Sequence, residues 1–70
     1  MTSTYAIKAR YYTRQAWIHL GKAREAKRNL IGVTDDRARM WGQDAVNHQA
    51  YFARQSMRCA TLYRQIDGRL

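Results

Sequence analysis

Apolar and small residues recur along the second half of the chain at alternating steps of three and four. The segment from Thr34 to Asp67 has no proline and a single glycine, Gly42. We call its main row the long stripe, which consists of Ala38, Trp41, Ala45, His48, Phe52, Gln55, Cys59, Leu62 and Ile66. A mean step of about 3.5 residues keeps such a row on one side of an α-helix over about eight turns. The pattern therefore predicts one long helix.

A second, shorter row follows the same rule on this helix. We call it the short stripe, and it consists of Val46, Ala50, Ala53, Met57 and Ala60. Because each helical residue advances by about 100°, the centre of this row lies well over ~90° around the helix from the long stripe. A helix with one broad face in water needs only one stripe. We therefore expect this helix to be covered from two sides.

The first half of the chain also predicts a helix, from Tyr5 to about Asn29. It lacks proline and is rich in Ala, Arg and Lys, which favour helix. Its apolar row consists of Tyr5, Ala9, Tyr12, Ala16, Leu20, Ala23 and Leu30. The small members of this row would let a partner helix approach closely. Ile7, Tyr11 and Ile18 form a separate apolar patch to one side of it.

The connection between the two helices is short. Gly32 suits the left-handed conformation that ends a helix, and Thr34–Asp36 suit the start of the next one. Helices joined in this way are antiparallel neighbours. We predict an all-α fold, a helical hairpin that forms a single domain over residues 1–70. Its parts are helix 1 at about 4–30, a turn at about 31–34, helix 2 at about 35–67 and a frayed end at 68–70.

Association is expected because the chain is small. Seventy residues bury too little apolar surface for more than marginal stability. The lone Cys59 cannot form an internal disulfide and is predicted to be a small core residue. At lengths of roughly 37 and 50 Å, helix 2 should overhang helix 1. Two hairpins with their second helices inside would form a homodimeric four-helix bundle that buries both stripes.

The predicted dimer and core interface comes from both stripes of helix 2. It consists of Trp41, Ala45, Val46, His48, Ala50, Phe52, Ala53, Met57, Cys59, Leu62 and Ile66. His48 and Gln55 are polar residues in this row, and they could set the helix register as isolated polar core residues do in coiled coils.

The charge is strongly positive and lies mostly on helix 1. The net charge is +8, with a pI near 10.4. Residues 1–31 contain seven basic residues and one acidic residue, while the remainder contains six and four. The predicted nucleic-acid-binding residues are Arg10, Arg14, Trp17, Lys22, Arg24, Lys27 and Arg28. Four arginines within a narrow sector, with Trp17 able to stack and Gly21 allowing close approach, could track a phosphate backbone.

Other kinds of site have little support in the sequence. His19, His48 and Cys59 lack the paired spacing of zinc ligands, so no metal or cofactor is expected. No apolar run reaches the 18 or so residues that span a bilayer, and we expect a cytoplasmic protein in a reducing compartment. Residues 31–34 resemble the turn of a helix-turn-helix, but Arg28 stands where that motif has a small buried residue.

Three hypotheses for function follow, none of them enzymatic. The first is a basic module that binds DNA or RNA through backbone phosphates. The alternative is a small regulatory or inhibitory protein, as in phages and accessory elements, which modulates an acidic or grooved protein partner through its exposed apolar and basic helix faces. The third is a membrane-surface helix, which is less favoured because helix 1 has a partner helix in its own chain.

Overall fold

The chain forms two antiparallel helices joined by a short turn in a computed structural model that describes residues 3–69. Helix α1 spans Thr4–Asn29 and helix α2 spans Asp36–Arg69. The hairpin measures 53 × 14 × 11 Å between its outermost Cα positions. A helix of 34 residues is about 51 Å long, so α2 alone accounts for the length of the rod. The predicted all-α helical hairpin is confirmed.

Side-chain caps mark the start of both helices. Ser3 Oγ accepts a hydrogen bond from the amide of Ala6 at 3.0 Å. Asp35 Oδ2 accepts one from the amide of Ala38 at 2.9 Å, so Asp35 provides the cap within the predicted start at Thr34–Asp36. Such a cap contributes about 1 kcal/mol to helix stability. The local sequence therefore fixes where each helix begins.

The turn depends on two glycines for different reasons. Gly32 has φ +82°, the left-handed conformation predicted for it, which L side chains rarely adopt. Gly42 lies on α2 where the side chain of Leu30 reaches across from the end of α1, and an added Cβ would clash with a Leu30 methyl group. The Leu30 side chain therefore occupies the space that a Cβ at position 42 would take, and a larger residue there would require Leu30 to shift.

The far end of α2 differs from the prediction. The helix was expected to end at about Asp67 and to fray after it, but Gly68 and Arg69 continue it. A glycine in a helix costs only about 1 kcal/mol relative to alanine. The hydroxyl of Ser3 also donates a hydrogen bond to Asp67 Oδ1, which ties this last turn to the start of α1. Leu70 and the possible cap Thr2 lie outside the described residues.

The overhang of α2 lies at the turn end of the hairpin. The Ser3–Asp67 hydrogen bond keeps the chain ends level, whereas Leu30 meets Gly42, six residues into α2. Residues 36–41 therefore project beyond α1. The turn folds back along this projection, and Arg39 Nη1 donates to the carbonyl oxygen of Val33 at 3.3 Å.

The line of contact between the helices, which we call the seam, is built from alanine. Ala9, Ala16 and Ala23 are the buried residues of α1, at intervals of seven, and Ala60 of α2 has no exposed surface. Within residues 3–69, no larger side chain and no polar residue is fully buried. Small side chains allow two helices to approach closely. The hairpin thus has a thin core, with long side chains placed along the two edges of the seam.

The two stripes of α2 have different roles in the hairpin. The short stripe faces α1, with Ala60 buried and Val46, Ala50 and Ala53 half-buried. The long stripe is mostly exposed, with Trp41, Leu62 and Phe52 at 64%, 53% and 46% of their full exposure. Tertiary contact within one chain therefore uses the shorter row and leaves the longer one uncovered.

Candidate nucleic-acid interface

All seven side chains of the predicted interface are exposed on α1. Two rows with a spacing of seven residues lie side by side along the helix. Arg10, Trp17 and Arg24 form the row nearer the seam, and Arg14, Gly21 and Arg28 form the next one outward. A Cβ added at Gly21 would meet no atom within 4 Å, so the backbone there is open to approach.

Trp17 lies at the seam, in the middle of this surface. With Ala16 and Leu20 it forms one wall of an open groove of about 280 Å³. The other wall comes from α2, through Ala50, Ala53, Arg54 and Met57. The indole remains 60% exposed although it borders the seam. It therefore presents an aromatic surface to solvent, with the guanidinium-bearing Arg54 across the groove.

Basic side chains also cluster at the turn end of the hairpin. Arg24, Lys27 and Arg28 line a wider open groove of about 790 Å³. Leu30, Ile31 and, from α2, Gln43 complete its lining. Three positive side chains around an apolar floor can neutralise an anion while their stems cover the hydrophobic surface.

A third group of cations lies toward the free ends of the chain. Arg10 and Arg14 line a shallow depression of about 230 Å³ together with Ile7 and Tyr11. Arg10 is seven residues from Trp17, and Arg24 is seven residues beyond it. The three members of this row therefore follow one another at intervals of about 10.5 Å along the helix axis.

The contribution of α2 to this surface was not predicted from the sequence. Arg54 borders the Trp17 groove, and Arg64 Nη2 donates a hydrogen bond to Thr13 Oγ1 on α1. The Thr13 hydroxyl in turn donates to the carbonyl oxygen of Ala9 at 2.8 Å. We call the combined surface the basic edge. It consists of Arg10, Arg14, Trp17, Arg24, Lys27 and Arg28 of α1 with Arg54 and Arg64 of α2.

The register of the hairpin could have revealed these two arginines. Arg54 is next to Ala53 of the short stripe, and Arg64 is seven residues after Met57 of that stripe. Once the short stripe is assigned to the seam, residues beside it on one side must face the same edge. The missing information was which of the two stripes packs against α1.

The opposite edge of the seam has a different composition, and we call it the aromatic edge. It consists of Tyr5, Tyr12, His19, Gln49 and Tyr63. The ring of Tyr63 stacks on Tyr12 at 5.6 Å and on Tyr5 at 6.2 Å between centroids. His19 Nδ1 and Gln49 Oε1 are hydrogen bonded at 2.7 Å. These partners lie on different helices, so the aromatic edge joins α1 to α2.

Two of the three lysines, Lys8 and Lys22, lie near the aromatic edge, whereas Lys27 belongs to the basic edge. Lys8 Nζ lies 5.4 Å from the centroid of the Tyr63 ring, in a cation–π contact. Lys22 is exposed, and it lies fourteen residues along α1 from Lys8, on the same side of the helix. Of the seven predicted binding residues, Lys22 is therefore the one that the structure does not bring together with the others.

The predicted dimer and core residues fall into two groups. Val46, Ala50 and Ala53 are half-buried at the seam, with Met57 at its edge. Trp41, Ala45, His48, Phe52, Leu62 and Ile66 are exposed, and Cys59 is a half-buried free thiol. The hairpin therefore uses the first group for its own fold. The dimer itself stays a prediction.

No metal cluster and no membrane span occurs in the described part of the chain. Among residues 3–69, no three His, Cys, Asp or Glu side chains come together where they could hold a metal ion. In the same range, neither helix has the length and apolar character needed to cross a bilayer. Comparison of the chain with protein-family models, curated proteins and solved structures finds no match.

Proposed function

We propose that this protein is a non-enzymatic binding module that grips nucleic acid through its backbone phosphates. The observation that carries the proposal is the basic edge, where arginines from both helices flank an exposed tryptophan. Guanidinium groups pair with phosphate oxygens in a fork geometry, and they keep their charge at any physiological pH. A row of such groups fits a linear polyanion better than it fits a single small anion.

The position of Trp17 refines the expected ligand. An exposed aromatic ring between cations offers a stacking surface for a base, which has no access to it while stacked inside a duplex. Each stacked base contributes about 1–3 kcal/mol to binding of a single strand. We therefore expect unpaired DNA or RNA to bind more tightly than duplex of the same length.

A titration with fluorescein-labelled oligonucleotides tests the proposal. Anisotropy is measured for single-stranded DNA, single-stranded RNA and duplex DNA over a series of salt concentrations. Affinity should fall steeply with salt, because binding releases counterions from the phosphates. Substitution of Arg10, Arg14, Arg24 and Arg28 by glutamine should abolish binding while circular dichroism shows unchanged helicity. Retained binding by that variant would refute the role of this edge.

A matched pair of double variants separates the basic edge from the overall charge. Arg24→Gln with Arg28→Gln removes two cations from the basic edge, whereas Arg37→Gln with Arg69→Gln removes two from α2 outside it. The first pair should lower the slope of log affinity against log salt by about 1.5, since each phosphate contact contributes about 0.7–0.9. The second pair should leave the slope close to that of the unaltered protein.

An alternative function is regulation of a protein partner. Ile7, Tyr11 and Ile18 are exposed on the side of α1 away from α2, and Arg10 and Arg14 lie beside the first two. An apolar patch bordered by cations fits a groove with an acidic rim. Pull-down from the native host would decide between nucleic-acid binding and regulation of a protein partner. The variant with Ile7→Asp and Ile18→Asp, which disrupts the apolar patch, is the control. A partner lost with these variants but retained by the four-arginine variant would favour regulation.

A further inference from the structure

The long stripe of α2 is a mostly exposed and uncharged surface on a strongly positive chain. None of its nine positions carries Asp, Glu, Lys or Arg. Trp41, Phe52 and Leu62 are among its exposed members, while the fully buried side chains within residues 3–69 are all alanines. Two copies with a charge of +8 repel each other in most orientations. This stripe is where two copies can meet with the least repulsion and the most apolar contact.

The order of residues in the long stripe is self-complementary about Phe52. Counting outward from Phe52 one member of the row at a time, the polar His48, four residues before it, corresponds to the polar Gln55, three residues after it, and the small Ala45 corresponds to the small Cys59, each seven residues away. The next pair is Trp41 with Leu62, and the last is Ala38 with Ile66. Polar positions thus correspond to polar ones, and apolar positions to apolar ones, along the entire row.

A two-fold axis converts this order into a set of contacts. In a symmetric pair, residue i of one copy contacts residue j of the other, and j contacts i. Antiparallel α2 helices that cross at Phe52 therefore place His48 against Gln55 twice, and Ala45 against Cys59 twice. A parallel pairing would instead place each residue against itself, with two histidines face to face and two alanines leaving a gap.

The hairpin already contains the same type of contact. At the seam, His19 of α1 is hydrogen bonded to Gln49 of the antiparallel α2 at 2.7 Å. The ring of Phe52 lies beside this pair, with its centroid 5.4 Å from that of the His19 ring. A His–Gln pair next to Phe52 is thus compatible with antiparallel helix packing in this chain.

We infer that two copies of the chain associate through their long stripes, antiparallel, with Phe52 at the two-fold axis and His48 of each copy paired with Gln55 of the other. This arrangement covers the side of α2 that α1 leaves exposed. It leaves both basic edges free, because the basic edge lies on the other side of the seam. The inference does not depend on nucleic-acid binding.

Disulfide trapping tests this register with the chain's own cysteine. In the antiparallel pair, Cys59 lies opposite Ala45 of the other copy, while the two Cys59 residues are about 21 Å apart along the axis. A disulfide requires Cα atoms within about 7 Å. Under mild oxidation, Ala45→Cys should therefore give a covalent dimer on non-reducing gels, with peptide mapping showing a 45–59 link. The unaltered protein should give none.

Controls exclude random collision and misfolding. Ala45→Cys combined with Cys59→Ser should not cross-link, because the introduced thiols are also about 21 Å apart in this register. Circular dichroism of the reduced variants should match that of the unaltered protein. Ala45→Cys can also be added to the variant in which Arg10, Arg14, Arg24 and Arg28 are replaced by glutamine. This protein should cross-link to the same extent as the protein that carries Ala45→Cys alone. Failure of nucleic-acid binding therefore leaves this test intact.

Sedimentation gives an independent measurement without new cysteines. The unaltered protein should shift from monomer to dimer with concentration, and Phe52→Asp should stay monomeric because it places two carboxylates together at the axis. A Cys59–Cys59 link in the unaltered protein would establish a parallel register and overturn the inference. A monomer at all concentrations, or absence of the 45–59 link, would overturn it as well.

Discussion

The two edges of the α1–α2 seam both carry aromatic side chains, but these side chains are packed differently on each edge. On the aromatic edge, Tyr63 stacks on Tyr5 and Tyr12, and the polar His19 is hydrogen bonded across the seam. On the basic edge, Trp17 remains 60% exposed beside the arginines. The large side chains of one edge therefore contact each other, whereas those of the other face solvent.

This difference indicates that, in a chain with an alanine core, one edge of the seam stabilises the fold and the other is available for binding. The seam lets the helices approach, but small side chains bury little apolar surface each. The aromatic edge adds interhelical contacts that hold the hairpin together. The basic edge, which is less involved in the fold, has its cations and its indole available for a ligand. Substitutions on the two edges should therefore affect different measurements.

The largest stability effect is expected at the centre of the aromatic edge. Tyr63→Ala removes two ring stacks and the Lys8 contact, and it should lower the free energy of unfolding by about 2 kcal/mol. Urea unfolding followed by circular dichroism gives this value. Combined with Tyr12→Ala in a double-mutant cycle, it should show a coupling of about 1 kcal/mol. Additive losses would mean that the stack contributes nothing specific.

The basic edge should show the reverse behaviour at Trp17. Trp17→Ala should change the free energy of unfolding by no more than about 0.5 kcal/mol, as for an exposed residue. Its affinity for single-stranded nucleic acid should fall about 10-fold through loss of base stacking. Tyr51→Ala, at an exposed aromatic ring on α2, is the matched control and should bind normally. Equal losses for both variants would count against a specific stacking site.

A small effect on both stability and nucleic-acid binding is expected at Arg64, the residue of α2 that joins the basic edge to α1 through Thr13. Arg64→Gln removes the hydrogen bond to Thr13, and because the side chain is exposed the stability loss should be about 0.5 kcal/mol. One fewer cation should reduce the salt slope of nucleic-acid binding by about 0.7–0.9. A large stability loss with no change in slope would instead show that Arg64 serves the fold and not the binding surface.

Much of the secondary structure could be predicted from local sequence, and so could the exposure of the candidate site. The cap at Asp35, the left-handed Gly32 and the apolar rows are properties of a few adjacent residues. Charged residues on a helix have a strong preference for solvent, so the arginines of α1 were expected at the surface. Arg54 and Arg64 were missed because their edge depends on how α2 is rotated against α1.

Two long helices, their turn and the two apolar rows on α2 are predictable from local sequence, because capping, glycine conformation and helical periodicity act over a few residues. Which of the two rows meets α1 depends on how the helices pack against each other. The short stripe has alanines opposite those of α1, and close approach of two helices selects small side chains on both. That choice places Trp17 with Arg54 on one edge, joins Tyr12 to Tyr63 on the other, and leaves the long stripe exposed.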